Sequence, residues 1–274
     1  MASFDLTIDP TFFDDLAAVA ANETRARFRT LHDVENKDAS GFDPVTEADK
    51  SAERAIRQLI EEHHANHRIL GEEEGESGGP SPYRWVIDPV DGTRAFICGI
   101  PVWTTLVGLE KDGHPFAGMI DQPILGERWV SVDGQSAQFI DQTGTCTAKT
   151  SGCKNLSDAR MMVTDIRADA YFTQAQAEQV EEAAAQARVL RQGLDSYGFG
   201  LVASGHMDIV IEASLSWYDI AAVIPVIKGA GGAITDWQGR PLQADTFEGE
   251  VVVAASDELK SATVKALASA LCKY

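Results

Sequence analysis

Four groups of acidic residues stand at positions where the sequence predicts turns or helix starts. Asp88 and Asp91 lie in the run Asp-Pro-Val-Asp-Gly-Thr, directly after a short apolar segment that is typical of a strand. The other three groups are Glu72 to Glu74 between two glycines, Asp49 near the start of a predicted helix, and Asp219 after Trp217 and Tyr218. Carboxylates at such positions are candidate ligands of a hard cation.

Asp88 and Asp91 are the most informative pair, because both can turn toward one side of the chain after the strand. Two carboxylates aimed at one point repel each other by several kcal/mol at low dielectric unless a cation neutralises them. Their hard oxygens favour Mg²⁺ over zinc. Gly92 and Thr93 then place backbone N–H groups at a predicted helix start, a geometry that binds phosphate. The combination indicates metal-assisted hydrolysis of a phosphate ester.

Each group also has a simpler structural explanation when it is taken alone. Asp-Pro and Asp-Gly are common in tight turns, and Glu72 to Glu74 could be a solvated acidic loop. Asp49 follows Thr46 by three residues, which is the spacing of a capping box, and Asp219 could also cap a helix. Only the ordered combination of all four groups favours a site.

The charge of the chain restricts its partners. Its 274 residues include 23 basic and 42 acidic ones, a formal net charge of −19, which argues against binding to nucleic acid or to an anionic membrane. An anionic substrate would require something local to invert the field. No segment approaches the ~18 to 20 uninterrupted apolar residues of a membrane span, and the N-terminus lacks the features of a secretory signal.

The cysteines favour a cytoplasmic protein. They form no CxxC pair, which is typical of free thiols in a reducing compartment. Cys98 lies close to the Asp-Gly-Thr run, and we interpret it as a packing residue rather than a nucleophile. The four positions are Cys98, Cys146, Cys153 and Cys272.

The first half of the chain predicts helices followed by a strand meander. The apolar periodicity predicts a helix from Asp9 to Arg29 and another from Thr46 to His64. Residues 75–82 hold three glycines and two prolines and predict a loop or flap. A strand over residues 84–88 is predicted to stop at Pro89. Residues 102–140 predict a meander with turns at Asp-Gly and Leu-Gly dipeptides.

In the second half, predicted strands and helices alternate, so we expect an α+β half over residues 1–150 and an α/β half over residues 151–274. The first would hold the metal and phosphate site. The second would complete the metal site and form the pocket for the alcohol of the ester. The predicted strands are residues 161–164, 209–211 and 251–254, and the predicted helices are residues 170–188, 197–204 and 220–229, with a last helix capped by Ser256.

The ordered motifs resemble the inositol monophosphatase family of Mg²⁺-dependent, lithium-sensitive phosphatases. The family signature W-[IV]-[IV]-D-P-[IVL]-D-G-T is matched at every position by residues 85–93, and W-x-D followed by A-G-G is matched by residues 217–219 and 230–232. G-E-E is matched by residues 71–73, and V-T-x-x-D by residues 45–49. The resemblance covers nearly the whole chain and implies a layered αβαβα sandwich, of the inositol monophosphatase and fructose-1,6-bisphosphatase type, that forms homodimers.

The resemblance also implies a metal-ligand set for about two to three Mg²⁺ ions. Glu72, Asp88 and the backbone carbonyl of Val90 resemble the ligands of a first ion, and Glu72 those of a third, weaker one. Asp88, Asp91 and Asp219 resemble the ligands of a second ion. Lys37 falls where the family often has a lysine near the metals, although a solvated loop lysine explains it equally well.

The catalytic roles are implied in the same way. Thr93 resembles the residue that orients the attacking water, with Asp49 as its hydrogen-bond partner and proton acceptor and with Glu72 beside them. The N–H groups of Gly92 and Thr93 would bind the phosphate. Direct in-line attack would then need no covalent enzyme intermediate.

The alcohol-side pocket departs from the inositol branch of the family. There a G-T-A or G-S-A run supplies a hydroxyl, whereas this chain has Gly193-Leu194-Asp195 and keeps a glutamate at Glu212. Two carboxylates suit a cation, because a buried carboxylate must be paired. Histidinol phosphate offers an ammonium and an imidazole. Asp195 could instead cap a helix, which leaves the inositol phosphate alternative open.

Longer stretches also resemble the histidinol-phosphatase branch, namely residues 88–103, 193–200 and 231–242. The pair Arg94-Ala95 departs from the T-N or S-N that usually follows D-G-T in the inositol branch, and Arg94 joins Asp91 and Asp219 as a predicted substrate contact. The sequence therefore predicts a histidinol-phosphate phosphatase. The alternatives are an inositol-1-phosphate or broad sugar-phosphate phosphatase and, more distantly, a non-catalytic transcription or ribosome-assembly partner. His63, His64 and His67 predict only a solvated helix end.

Overall fold

The computed structural model describes residues 8–30, 35–36 and 44–270. Lys37 and Cys272 lie outside them. The helices are α1 (Pro10–Arg27), α2 (Glu47–His63), α3 (Thr93–Ile97), α4 (Gln174–Gln186), α5 (Tyr197–Ala203), α6 (Trp217–Ile220), α7 (Val223–Gly229) and α8 (Asp257–Ala270), with a 3₁₀ turn at Leu156–Asp158.

The strands of the first half are β1 (Glu35–Asn36), β2 (Pro44–Val45), β3 (Arg68–Gly71), β4 (Gly75–Ser77), β5 (Tyr83–Asp91), β6 (Thr104–Lys111), β7 (His114–Gln122), β8 (Glu127–Ser131), β9 (Gln138–Asp141) and β10 (Gly144–Thr147). Strands β3 to β10 form one sheet in the order β10-β9-β8-β7-β6-β5-β3-β4. All its neighbours are antiparallel except β3 and β5, which run parallel. The predicted meander is confirmed.

The strands of the second half are β11 (Arg160–Val163), β12 (Val189–Gln192), β13 (Ile209–Glu212), β14 (Ala233–Thr235) and β15 (Val251–Ala254). They form a second sheet in the order β12-β11-β13-β15-β14. Strand β11 runs parallel to β12 and β13, whereas β15 is antiparallel to both its neighbours. The sequence patterns predicted β11, β13 and β15 but neither β12 nor β14.

Both faces of each sheet are apolar, so helices pack on both sides of each sheet. The elements therefore form five layers. In β5, Trp85 and Ile87 face the apolar sides of α1 and α2, whereas Val86 between them faces α5 and α7. In the second sheet, Val210 faces the same middle helices, whereas Ile209 faces α4 and α8. The alternation along a strand is the physical basis of the layering. The αβαβα sandwich is confirmed.

Two glycines let the middle layer approach the first sheet closely. An added Cβ at Gly118 would lie 2.3 Å from the carbonyl oxygen of Ala222, and one at Gly108 would lie 2.9 Å from its nitrogen. Ala222 lies between α6 and α7, so the chain that carries Asp219 rests directly on β6 and β7. Any side chain at Gly108 or Gly118 would displace the segment that carries Asp219.

Several predicted boundaries were wrong. Strand β5 does not stop at Pro89 but continues to Asp91 through a register shift, because the proline interrupts the ladder without ending the strand. Part of the predicted loop 75–82 is strand β4. The helix predicted from residue 170 begins at Gln174, where Thr173 and Gln176 form a capping box. The helix predicted over residues 220–229 is divided into α6 and α7.

Two side-chain interpretations were also wrong. Cys98 is exposed rather than packed. Only His63 of the three histidines is solvated: His64 and His67 are half-buried and stack on each other with ring centroids 4.7 Å apart. The Trp85 indole donates a hydrogen bond to His67 Nδ1 at 3.1 Å.

Candidate active site

The end of β5 places Asp88 and Asp91 on one side of the chain. Asp88 is 2% exposed, and its Oδ1 accepts a hydrogen bond from the Val90 N–H at 3.1 Å, which closes a local turn within the register shift. Gly92 then adopts a left-handed conformation with φ +89°, so that α3 can begin at Thr93. An added Cβ at Gly92 would lie 3.1 Å from the Asp195 side chain, and the position therefore favours glycine.

Asp219 reaches the same place from α6. Its Oδ2 accepts the Ser216 N–H at 2.6 Å and completes a capping box, so the helix-cap interpretation of Asp219 is confirmed. Trp217 anchors the helix start, because its indole donates to Glu110 Oε2 at 2.9 Å. Asp88, Asp91 and Asp219, the carboxylate cluster, each bring an oxygen within 4.8 Å of the others.

The three carboxyls perturb one another electrostatically. Burial raises the pKa of Asp88 well above its ordinary value, and the charges of Glu72, Asp91 and Asp219 raise it further. Burial, Asp91 and Glu72 do the same to the pKa of Asp219. Burial also raises the pKa of Asp91, against a hydrogen bond from Ser196 that lowers it. Oxygen donors that are withdrawn from water and crowded in this way fit a hard divalent cation.

Glu72 comes to the carboxylate cluster from the acidic loop, residues 72–74, which joins β3 to β4. Its backbone N–H donates to the Ile87 carbonyl at 3.1 Å, which ties the loop to β5 one residue before Asp88. Glu72 lines the same cavity as the cluster. The structure thus brings all four predicted carboxylate ligands, together with Val90, to one cavity.

Thr93 links this cavity to α2. Its hydroxyl lies 3.1 Å from the Val90 carbonyl oxygen and 3.3 Å from Asp49 Oδ1. The other oxygen of Asp49 accepts the Thr46 N–H at 2.8 Å, so Asp49 caps α2 and contacts Thr93 at the same time. The two interpretations of Asp49 are therefore compatible rather than competing.

Two further carboxyls, those of Asp195 and Glu212, line the same cavity. Glu212 is 4% exposed, and its Oε1 accepts the N–H and the hydroxyl of Thr164 at 2.6 and 2.9 Å. Burial raises the pKa of Glu212 well above its ordinary value. Burial and then the charge of Asp91 raise the pKa of Asp195 to about 7. The N-cap position of α5 is held by Ser196, so the helix-cap interpretation of Asp195 was wrong.

Arg94 stands beside these carboxyls. Its guanidinium lies over the Tyr171 ring, 4.7 Å from the centroid, and its charge lowers the pKa of Asp195 against the effect of burial. Tyr171 and Thr164 line the cavity with it, as does Ser196, whose N–H donates to Asp91 Oδ1 at 2.9 Å. Sequence reasoning missed these three residues: Tyr171 and Thr164 stand in no motif, and Ser196 was given no role although it lies in the stretch 193–200.

Gly193 and Leu194 are not among the residues that line this cavity. Leu194 packs against the core between the two sheets. The Gly193 N–H donates to the Thr164 carbonyl at 2.9 Å in a left-handed conformation, φ +79°. Both residues shape the loop that presents Asp195.

No helix within the described ranges is long and apolar enough to cross a membrane. The family model of the inositol monophosphatase family matches residues 10–271. The chloroplastic bifunctional phosphatase IMPL2 of Arabidopsis thaliana is 38% identical over 88% of this chain and 69% of its own length. The histidinol-phosphatase of Streptomyces coelicolor is 33% identical over 85% of this chain and 90% of its own length.

A solved structure, that of an inositol monophosphatase from Zymomonas mobilis, superposes with a TM-score of 0.82 at 35% identity and covers 94% of this chain and 96% of its own. The family model extends over both sheets and over every motif that carried the resemblance. The chain therefore belongs to the inositol monophosphatase family of metal-dependent phosphatases.

Proposed function

We propose that the protein is a Mg²⁺-dependent phosphatase that hydrolyses histidinol phosphate to histidinol and phosphate. The observation that supports this substrate is the pair Asp195 and Glu212, two further carboxyls that line the same cavity as the carboxylate cluster. A neutral polyol does not need two carboxylates, whereas the ammonium and imidazole of histidinol provide the cations that such groups require.

The carboxylate cluster, Glu72 and the Val90 carbonyl would hold the metal, as about two to three Mg²⁺ ions. When bound, Mg²⁺ polarises the phosphoryl oxygens and lowers the pKa of the attacking water. The first-turn N–H groups of Gly92 and Thr93 would bind phosphate oxygens, because the N-terminus of a helix leaves such groups without partners inside the helix.

The proton of the attacking water would pass toward Thr93 and Asp49. The Thr93 hydroxyl can accept a hydrogen bond from the water while it donates to Asp49, which lies 3.3 Å away. Asp49 is held by its capping bonds to Thr46, so α2 positions one of the two acceptors of the Thr93 hydroxyl, the other being the Val90 carbonyl. Glu72 would act beside them as both a ligand and a proton acceptor.

Asp195 would be the main contact for the substrate ammonium. Burial and the charge of Asp91 raise its pKa to about 7, and a bound ammonium would favour the ionised form. Arg94 provides a partial counter-charge until the substrate binds, and Tyr171 holds its guanidinium in place. The net charge of −19 is then no obstacle, because the phosphate would meet bound metal and the aminoalcohol would meet carboxylates.

The relatives support two substrates. The Streptomyces coelicolor relative bears the name histidinol-phosphatase, which favours the proposal. The Zymomonas mobilis structure is that of an inositol monophosphatase, so hydrolysis of inositol 1-phosphate or of sugar phosphates is the second candidate. A cytoplasmic location, which the cysteines favour, and a homodimer, which the family resemblance implies, belong to the same proposal.

The experiment compares Asp195→Asn with the wild type on histidinol phosphate, inositol 1-phosphate and an aryl phosphate at saturating Mg²⁺. Asparagine keeps the volume and tolerates the left-handed backbone at this position, φ +46°. We expect kcat/KM for histidinol phosphate to fall roughly 30- to 5,000-fold, the equivalent of about 2 to 5 kcal/mol for an unpaired ligand charge. The aryl phosphate should be nearly unaffected.

Asp112→Asn is the matched control, because Asp112 also has a positive φ, +51°, but lies in an exposed turn. Its kinetics should equal those of the wild type. Equal losses on all three esters would make Asp195 a structural residue. Faster wild-type turnover of inositol 1-phosphate than of histidinol phosphate would favour the second candidate.

A further inference from the structure

Helix α2 buries three polar residues spaced one turn apart: Asp49, Glu53 and Arg57. Asp49 contacts Thr93, whereas the other two are absent from every motif of the family signature. We infer that Glu53 and Arg57 are positioning residues, which hold the acidic loop so that Glu72 is in place to bind metal. The inference rests on the proposed function, because it takes Glu72 as a metal ligand.

Glu53 fixes the backbone of the acidic loop. Its carboxylate is fully buried, and its two oxygens accept the N–H groups of Glu73 and Glu74 at 2.8 and 3.0 Å. These are the two residues that follow Glu72. With both N–H groups bound to α2, the loop is held at a fixed distance from the helix that also positions Thr93.

Arg57 balances the charge of Glu53 and fixes the far side of the loop. Its Nε lies 2.8 Å from Glu53 Oε1. Its two terminal nitrogens donate to the Ser77 hydroxyl at 2.9 Å and to the Gly75 carbonyl at 2.5 Å. The guanidinium therefore binds α2 and β4 together, which only a planar group with several donors can do.

Gly71 shows how closely the carboxylate is seated. A Cβ added there would lie 2.1 Å from Glu53 Oε1, so the end of β3 passes directly over the carboxylate. The loop approaches α2 through this glycine and leaves it through Gly75. Glu72 lies between these two points and extends toward the carboxylate cluster.

Electrostatics explain why the acidic loop needs such an anchor. It carries three successive glutamates, and the charge of Glu72 already raises the pKa of Asp88 and Asp219. The resulting repulsion favours movement of Glu72 away from the cluster before metal binds. The bonds from Glu53 and Arg57 oppose that movement, so the ligand is pre-organised rather than recruited.

The test measures Mn²⁺ binding by electron paramagnetic resonance in Glu53→Gln and Arg57→Lys, with thermal unfolding as the check of the fold. Glutamine keeps the volume but offers only one acceptor oxygen, and lysine keeps the charge but cannot reach Ser77 and Gly75 together. We expect the Mn²⁺ dissociation constant to rise roughly 10- to 100-fold, as for other residues that orient a metal ligand. Activity at saturating metal should recover largely.

Arg54→Lys is the control on the same helix, because Arg54 pairs with Glu47 at the surface and its side chain is 52% exposed. It should bind Mn²⁺ as the wild type does. A lower unfolding temperature with a rise in the dissociation constant of less than tenfold would reduce Glu53 and Arg57 to structural residues and overturn the inference. If Glu53→Gln does not fold, Arg57→Lys decides alone.

The two proposals fail in different ways. The substrate preference of the wild type tests the proposed function and does not depend on either positioning residue. The ratio of Mn²⁺ affinities between variant and wild type tests the inference and does not depend on which ester is hydrolysed.

Discussion

The molecule buries two groups of charged side chains. They differ in the sign of the charges that surround them. Arg84 and Glu110 form an ion pair of opposite charges, with Nη2 and Oε1 2.5 Å apart and the side chains 15% and 2% exposed. The carboxylate cluster gathers charges of one sign. Among the hydrogen bonds that it accepts are those of the Val90 and Ser196 backbone N–H groups.

This difference separates structural charge from functional charge. A paired group is compensated within the chain, and breaking the pair destabilises the fold. A group of like charges is compensated only when something binds, and its pKa values are raised until then. The same chain can therefore bury both kinds, one as support and one as a site.

We expect the largest effect when one charge is removed from the carboxylate cluster. Asp91→Asn should lower kcat/KM at least about 1,000-fold, because several kcal/mol of charge stabilisation are lost and each ~1.4 kcal/mol is tenfold. In metal-free buffer its free energy of unfolding should equal or exceed that of the wild type, because one repulsive charge is gone. Phosphate release and urea unfolding measure the two quantities.

Asp133→Asn is the matched control, since Asp133 Oδ1 also accepts backbone N–H groups, but at the surface. It should change neither activity nor stability. A stable Asp91→Asn variant with wild-type activity would remove Asp91 from the metal site. A metal-free variant less stable than the wild type would mean that the cluster is compensated internally, which would break the comparison.

Sequence reasoning anticipated the cluster because its residues follow strong local signals. The sequence places Asp88 at the end of an apolar strand and Asp219 at the start of a helix. The helix start at Asp219 is confirmed, whereas Asp88 lies within β5, which continues to Asp91. The register shift at Pro89 was missed, because a proline predicts an interruption but not whether the strand continues beyond it.

The sequence carries no comparable signal for the buried pair Glu53 and Arg57. Glu53 and Arg57 have the i, i+4 spacing of an ordinary surface pair, as have Glu23 and Arg27 on α1, yet only the first pair is buried. What buries Glu53 is the acidic loop, whose path over α2 is set by pairing of β3 with β5. Such tertiary placement is not encoded in a local pattern.

The second largest effect is on stability, and we expect it when one member of the opposite-charge pair is removed. Arg84→Met should lower the free energy of unfolding by about 3 kcal/mol, because Glu110 is left buried with an uncompensated charge. Trp217 also donates to Glu110, so the start of α6 should loosen as well. Urea unfolding measures the loss.

Arg240→Met provides the comparison for that variant. Arg240 pairs with Asp236 at 2.5 Å, but its side chain is 62% exposed, so we expect a loss below about 1 kcal/mol. Similar losses for Arg84→Met and Arg240→Met would show that burial does not distinguish these pairs. The division between supporting and functional charge would then lose its energetic basis.

The smallest effect concerns His67, a half-buried histidine whose surroundings favour the neutral ring. Its ring stacks on His64, and its Nδ1 accepts the Trp85 indole N–H, so protonation there would cost that bond. Burial, and then the charge of His64, lower the pKa of His67 to about 4. The unfolded chain binds the proton with an ordinary pKa near 6.5, and acid therefore favours unfolding.

The stability that His67 contributes should thus be complete above about pH 6.5 and be lost as the pH falls toward about 4. For a half-exposed ring we expect a loss of roughly 1 kcal/mol. His67→Gln, which keeps an acceptor for Trp85 but cannot take up this proton, should flatten the curve in that window. Exposed His114→Gln should not.

If the two variants lose stability in parallel with the wild type, His67 is protonated in the folded protein. Burial would then fail to keep a group neutral here, and the raised pKa values of the carboxylate cluster would need another cause.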